Sequence, residues 1–290
     1  MASPSNVAEF QVRPLAATDI DAAYEIIADW QAQVFGEAEM TRGMFSNLQE
    51  IAAAAYVAET ADRIVGHAAI RADDINVTVR GSERRRGIGS ALLRACEAHV
   101  QGDVLGLFGV TLEPSAAPFA AANGYGKAWE VWLMGVDLAG RADTPVWPHE
   151  VSVRTFREDE AKAVKDLLDE AYAAEPGHNP LPFEDWKTFM LGDPSYDPSV
   201  WFLALAREEI VGAALNWKEG YVKDIVVHPD WRGRGLGKAL MLQTFGEFAR
   251  RGISRVTLKT DSINPTEAWR FYEHLGMTKE RTYEVFDKKL

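Results

Sequence analysis

The stretch "DIVVHPDWRGRGLGKAL" (Asp224–Leu240) passes from an apolar, β-branched burst through three alternate glycines into a pattern with helical spacing. Glycines at 233, 235 and 237 let a backbone turn tightly and come close to a neighbour, and a helix start offers unpaired N–H groups to an anion. A phosphate suits both features. Two familiar phosphate loops do not fit the spacing. A Walker A loop would place glycine where Arg232 stands and Ser or Thr where Ala239 stands. In the dinucleotide fingerprint the third glycine would fall one residue later than Gly237.

The loop occurs twice. "VTVRGSERRRGIGSALL" carries Arg84, Gly87 and Gly89, and "IVVHPDWRGRGLGKALM" carries Arg232, Gly235 and Gly237 at the same internal spacing, offset by 148 residues. Other segments pair in the same order: "FQVRPL" with "VSVRTF" at an offset of 141, "DRIVGHAA" with "EEIVGAAL" at 146, and "FAAANGY" with "FYEHLGM" at 152. An offset that grows in small steps is what loop insertions between two copies of one plan produce. Two homologous domains follow, at residues 1–138 and 151–290, joined by a linker at 139–150 within "LAGRADTPVWPHE". That stretch holds two prolines and no apolar periodicity.

Each copy reads as a short strand, one or two amphipathic helices, a run of strands, the glycine loop, a helix, a strand, a helix and a last strand. The fold class is α/β, each domain a twisted mixed sheet flanked by helices. In the second copy the patterning predicts strands at "VSVRTF", "VWFLALA", "IVGAALNW", "YVKDIVVH", "RVTLKT" and "TYEVFD". Helices are predicted at "DEAKAVKDLLDEAY", "LGKALMLQTFGEFARRG" and "NPTEAWRFYEHLG", the last two ending on glycine.

A chain of 290 residues with 47% apolar content affords a sizeable core in each half. The net charge of −12 argues against a nucleic-acid or anionic-membrane surface, which would need a basic patch able to overcome the overall field. Small-molecule or protein partners are expected, with the chain a monomer or homodimer. A single cysteine, Cys96, excludes an internal disulfide. The start "MASPSNVAEF" has neither a basic n-region nor an apolar core, and no uninterrupted apolar run reaches the roughly 18 residues of a membrane span, so a cytoplasmic location is expected. The six histidines show no HxxxH or clustered spacing, and no metal is expected.

Together, "DIVVHP", "RGRGLG" and "SINPTEAWRFYEHLGM" resemble the GNAT superfamily of acyl-CoA-dependent N-acetyltransferases, and the resemblance covers the chain twice over. Within it, the tandem arrangement and "SYDPSVWFLAL" are similar to mycothiol-synthase-like proteins. The resemblance implies acetyl-CoA as co-substrate, and a sheet splayed between its fourth and fifth strands with the pantetheine arm in the gap. It implies that Ile225, Val226 and Val227 border that arm. The pyrophosphate would then meet the N–H groups of Arg232, Gly233, Arg234, Gly235, Leu236, Gly237 and Lys238, a nest that needs glycines so that no Cβ blocks the approach. Tyr272 falls where the family often places the acid that protonates coenzyme A, and Asn264 where it carries an asparagine contacting pantetheine. From its own context, "NPTE", Asn264 also reads as the N-cap of the last helix.

Acetyl transfer to an amine further needs a base and a stabilised oxyanion. Asp224 is placed to take the ammonium proton, directly or through water, with Glu219 and Tyr221 on the approach of the same strand; pairing of Asp224 with Lys223 is the equally weighted structural reading. His228 and Trp231 read as turn and surface positions. The acceptor is expected near "AAEPGHNPLPFEDWKTFMLGDPSYDPSVW", with Glu175, His178, Glu184, Asp185 and Trp186 as candidates, although an acidic loop also reads as a solvated one. In the first copy, Tyr272 falls on Ala120 and Asn264 on Leu112 at the offset of 152, and Asp224 on Asn76 at 148. The N-terminal domain is therefore expected not to catalyse, while its loop, with Arg84, Gly87 and Gly89, either binds acyl-CoA or is kept for folding. Cys96 reads as a small buried apolar residue, which discounts an acetyl-cysteine route. The expected activity is N-acetylation of a small-molecule primary amine by direct attack in a ternary complex. A protein or peptide N-acetyltransferase and a non-catalytic acyl-CoA sensor are the alternatives.

Overall fold

The computed structural model describes residues 10–71, 74–99, 104–110, 112–141, 144–174 and 180–289. In chain order the first half contains β1 (Gln11–Pro14), α1 (Ile20–Phe35), α2 (Arg42–Glu50), β2 (Ala54–Glu59), β3 (Ile64–Arg71), β4 (Asp74–Val79), α3 (Ile88–Glu97), β5 (Val104–Val110), α4 (Ala116–Ala122) and β6 (Gly126–Asp137). The second half contains β7 (Val151–Thr155), α5 (Ala161–Tyr172), α6 (Phe183–Leu191), β8 (Phe202–Ala206), β9 (Glu209–Trp217), β10 (Tyr221–Val227), α7 (Leu236–Arg250), β11 (Arg255–Asp261), α8 (Ala268–His274) and β12 (Thr278–Lys289). The mixed α/β plan and its duplication stand. α6 is an addition, formed where the sequence reading saw an acidic, proline-rich loop.

Internal contacts divide the chain into two compact units, Met1–Ala128 with Glu284–Leu290, and Trp129–Tyr283. In the first, the strand order is β1-β2-β3-β4-β5-β12; in the second it is β6-β11-β10-β9-β8-β7. The sequence repeat runs straight along the chain, but the closing strand of each copy lies in the unit built by the other. In the second unit, β6 pairs antiparallel with β11 from Val131↔Asp261 to Asp137↔Arg255. In the first, Phe286 of β12 joins the core around Ile75, Leu92 and Leu105. Its ring lies so close to Gly109 that a Cβ there would meet Phe286 Cε2 at 2.8 Å. Lys288 Nζ bonds Glu97 Oε1 at 2.8 Å. Part of the stretch read as a linker packs on the second unit: Leu138 is buried and Arg141 Nη1 donates to Leu275 O at 2.9 Å.

In the second unit the two faces of the sheet separate by alternation. Leu203, Leu205, Ala213 and Leu215 pack with Val164, Leu167 and Leu168 of α5, whereas Phe202, Ala204 and Ala214 pack with Leu236 and Leu240 of α7. The glycine shared by "IVGHAA" and "IVGAAL" permits close helix–strand packing in both copies. A Cβ on Gly66 would meet Leu92 Cδ1 at 2.9 Å, and one on Gly212 would meet Leu240 Cδ1 at 3.1 Å. Each opening helix is anchored by a like ion pair, Arg13 to Asp19 before α1 and Arg154 to Glu160 before α5.

Candidate active site

The candidate site forms where β10 leaves β11. These parallel strands pair only at Tyr221↔Thr257 and Val222↔Leu258. Beyond them β10 continues antiparallel to β9 through Asp224↔Leu215 to Val227↔Gly212. From Asp224 onward, Ile225, Val226 and Val227 therefore have a partner strand on one side, and the groups they turn to the other side face the widening gap. This is the splay between fourth and fifth strands that the GNAT resemblance led us to expect.

The register of β10 shifts between Val222 and Asp224, a bulge that inserts Lys223. The first copy has no such shift, since β3 and β4 pair continuously from Gly66↔Val79 to Arg71↔Asp74. Counting back from the loop keeps Asp224 in the phase of Val226, on the face covered by α5. There Tyr172 Oη donates to Asp224 Oδ1 at 3.2 Å, and Lys223 Nζ donates to Oδ2 at 3.3 Å. The Lys223 ammonium also lies 5.8 Å from the ring centroid of Phe189 on α6. Asp224 thus pairs with Lys223, as the structural reading has it, and faces α5. Tyr172 and Phe189 were not singled out in the sequence, and Lys223 only as a pairing partner of Asp224. Tyr172 follows the apolar stripe of α5 and reads there as one more core residue, and nothing in the spacing marks a bulge.

Past Val227 the chain turns through Pro229–Trp231 into the glycine loop. Gly233 and Gly235 take left-handed conformations, with φ of 74° and 82°, and Gly235 caps α7. A Cβ on either would meet nothing within 4 Å, so here backbone conformation, rather than crowding, demands glycine. Leu236 is buried, while Lys238 stands exposed in the first turn of α7. Arg234 lies over the Trp231 ring, 4.7 Å from its centroid. Arg232 is spent on structure: Nε donates to Val227 O at 3.3 Å and Nη2 to Ala171 O at 2.9 Å. His228 and Trp231 hold the turn as read, His228 Nδ1 accepting from Asp230 N at 3.2 Å.

Tyr272 is buried in α8, its ring centroid 5.3 Å from that of Phe271. One expectation for this helix is corrected. Asn264 does not cap it, because α8 starts at Ala268 behind Glu267, which adopts a left-handed φ of 49° and breaks the helical run. Asn264 Oδ1 instead closes a turn, accepting from Thr266 N at 2.9 Å and Thr266 Oγ1 at 2.6 Å. Of the acceptor candidates, Trp186 is buried and stacks on Phe183, while Glu184 and Asp185 are exposed on the first turn of α6. Tyr221 is half-buried at the start of β10, and Glu219 is exposed in the turn before it. Glu175 and His178 lie outside the described residues.

In the first unit the splay recurs, β4 and β5 pairing among the described residues at Asp74↔Gly106 and Ile75↔Leu107. The loop keeps its conformation, with Arg85 and Gly87 left-handed where Gly233 and Gly235 are. A second correction arises here. The counterpart of Asn264 is Glu113, and not Leu112, because Ser115 N and Oγ donate to Glu113 Oε1 at 3.3 and 2.8 Å just as Thr266 does to Asn264. Arg84 again bonds the strand carbonyl, Val79 O at 3.2 Å, but its other nitrogen goes to Glu113 Oε2 at 2.9 Å. Burial opposes ionisation of Glu113, yet hydrogen bonds from Ser115 and Arg84 outweigh it and hold the carboxyl below the usual range. Cys96 is fully buried, which pushes its thiol up to about 12. Among the described residues no three His, Cys, Asp or Glu side chains are grouped to hold a metal, and no helix is long and apolar enough to cross a membrane.

A twisted mixed sheet with this splay, and a glycine turn opening onto a helix, define the class, and comparison with known proteins gives the same answer. Residues 161–277 match the Acetyltransferase (GNAT) family and residues 52–127 an Acetyltransferase (GNAT) domain. The chain belongs to the GNAT acetyltransferase family, and it is an acyltransferase with two copies of the GNAT domain. It is 32% identical over 236 residues to a mycothiol acetyltransferase of Thermobispora bispora, covering 75% of this chain and 78% of that protein. It is 30% identical over 248 residues to another from Beutenbergia cavernae, covering 77% and 79%. Among solved structures, a GCN5-related N-acetyltransferase from Sphaerobacter thermophilus superposes with a TM-score of 0.73 at 24% identity, covering 97% of this chain and 95% of that one. A tandem GNAT protein from the clavulanic acid biosynthesis pathway superposes with a TM-score of 0.71 at 20% identity, covering 97% and 98%. These last two speak for the fold.

Proposed function

We propose that the second copy transfers the acetyl group of acetyl-CoA to a primary amine of a small molecule within a ternary complex. The observation that carries this reading is Asp224, held at both carboxylate oxygens beside an open splay that leads directly to the glycine loop. Coenzyme A would lie along the gap, its pantetheine amides meeting the strand groups of Ile225 to Val227 and Asn264. Its pyrophosphate would meet the N–H groups from Arg232 to Lys238, each charged hydrogen bond contributing about 1.5–3 kcal/mol. Arg232 would serve through its backbone, since its side chain is already bonded.

In the reaction Asp224 takes a proton from the acceptor ammonium, and the freed amine attacks the thioester carbonyl. The tetrahedral oxyanion is stabilised by N–H groups of β10 that face the gap. Collapse breaks the carbon–sulfur bond, the departing thiolate takes its proton from Tyr272, and the tyrosinate is restored by the proton that the product nitrogen gives up. Holding amine and thioester together supplies several further kcal/mol. The acceptor end would be bordered by Tyr221, Lys223, Phe189 and the start of α6, where Glu184 would attract a cationic amine. The relatives named as mycothiol acetyltransferases make a mycothiol-type amine the first acceptor to try.

The test is a thiol-release assay with acetyl-CoA against aminoglycosides, amino-sugar thiols, simple amines and peptides, run beside Tyr272→Phe. Turnover of a small amine, with kcat lowered about tenfold or more in the variant and acetyl-CoA binding retained, is expected. Unchanged turnover in the variant removes Tyr272 as the acid. Acetylation of peptides alone overturns the small-molecule reading.

A further inference from the structure

The two copies share a splay, a loop conformation and a helix start, yet they treat one arginine differently. In the second unit Arg232 turns back to helix α5, bonding Ala171 O. In the first, Arg84 reaches across to Glu113, which follows β5. Since β4 and β5 diverge after two paired positions, a bond from the loop after β4 to the turn after β5 spans the open end of the splay. Trp30 completes it, its Nε1 donating to Glu113 Oε2 at 3.2 Å. Counted from the ion pairs that anchor α1 and α5, Trp30 occupies the place of Ala171. The second copy thus has a methyl group and Asn264 where the first has an indole and a carboxylate.

Glu113 accepts from four donors, namely Arg84, Trp30, and the backbone and hydroxyl of Ser115. The packing behind it is also tighter. A Cβ on Gly89 would meet Phe119 Cε2 at 3.0 Å, whereas one on Gly237 would meet Phe271 Cζ only at 3.6 Å. A phosphate-bearing ligand entering the first splay would therefore have to displace this network and lie against a fixed negative charge.

We propose that Glu113, bolted to Arg84 and Trp30, closes the first splay, so that each chain takes acyl-CoA in its second copy alone, and that Glu113 is the residue that decides this. The inference rests on the acyl-CoA reading of the second copy. It makes the first copy a latent cofactor cleft, complete in backbone and shut by side chains.

Hydrogen exchange of the full chain with coenzyme A, for the wild type, Glu113→Asn and Glu113→Gln, tests it. At ten times the dissociation constant, a bound segment opens about elevenfold less often. In the wild type, amides at 232–238 slow by that order and those at 84–90 do not change. In Glu113→Asn, which installs the residue of the second copy, the 84–90 amides also slow, and calorimetric stoichiometry rises from one to two. Glu113→Gln keeps the shape while removing the charge, and is expected to gain the same protection more weakly. Protection at 84–90 in the wild type, or its absence in both variants, overturns the proposal. Lack of protection at 232–238 counts against the acyl-CoA reading instead, so the two failures are distinct.

Discussion

At the scale of the residue, Asp224, the proposed base, shows how much a side chain's setting depends on neighbours remote in sequence. Its Tyr172 partner stands on another element and contributes one charged hydrogen bond, of about 1.5 kcal/mol or more. Tyr172→Phe, which keeps the ring and removes the donor, should lower kcat/KM roughly tenfold with little change in the KM for acetyl-CoA, as steady-state kinetics would show. The loop glycines separate by the same logic. Gly235→Ala forces a side chain into a left-handed φ of 82° and should cost about 1–2 kcal/mol in urea denaturation. Gly237→Ala places its Cβ in ordinary contact, 3.6 Å from Phe271 and 3.7 Å from Val227, so stability should hold while the KM for acetyl-CoA rises. The glycine turn was legible because it sits in a local pattern. Tyr172 and Glu113 were not, because their meaning lies in contacts that only the fold creates.

At the scale of the element, local signals were sound and their limits were set by single residues. Strands β7 to β11 and helices α5 and α7 fall where periodicity placed them. α8 starts four residues after Asn264 because Glu267 departs from helical conformation, something "NPTE" does not announce. Strand β3 carries a buried histidine that the pattern reads simply as interior. His67 Nε2 lies 3.0 Å from Gln49 Oε1, and burial lowers its pKa from 6.5 to about 3. The unfolded chain therefore binds a proton that the native one refuses between pH 6.5 and 3. The stability of the first unit is full above pH 6.5 and falls by about 1.4 kcal/mol per unit as pH drops through that window. Unfolding free energies from urea titrations of the wild type at pH 7 and 5 should differ by about 2 kcal/mol more than those of His67→Leu.

At the scale of the whole molecule, the repeat was the strongest message of the sequence and also the one that misled most gently. Matching segments in order suggested two units laid end to end, yet Glu284–Leu290 belongs with the first and Trp129–Asp137 with the second. No local pattern distinguishes a last strand that returns to its own copy from one that does not, because either sheet satisfies its hydrogen bonds and buries its apolar face. Removal of residues 284–290 is expected to loosen the first unit, although the deletion lies at the far end of the chain. The buried Cys96 reports on this directly. Its thiol, pushed up to about 12 by burial, should react slowly with a disulfide reagent in the intact chain and at least about tenfold faster after truncation.

The exchanged strands also set a timetable. Lys288 and its partner Glu97 are 191 residues apart, so the first half of the chain waits on the ribosome, with one edge of its sheet unfinished, until residues 284–289 have been made. At 5–20 residues per second that wait is roughly ten seconds or more, during which the exposed edge of β5 can recruit a strand from another nascent copy. Neither half can be expected to mature as a separately expressed fragment, and a stop codon just before position 284 would damage the first unit.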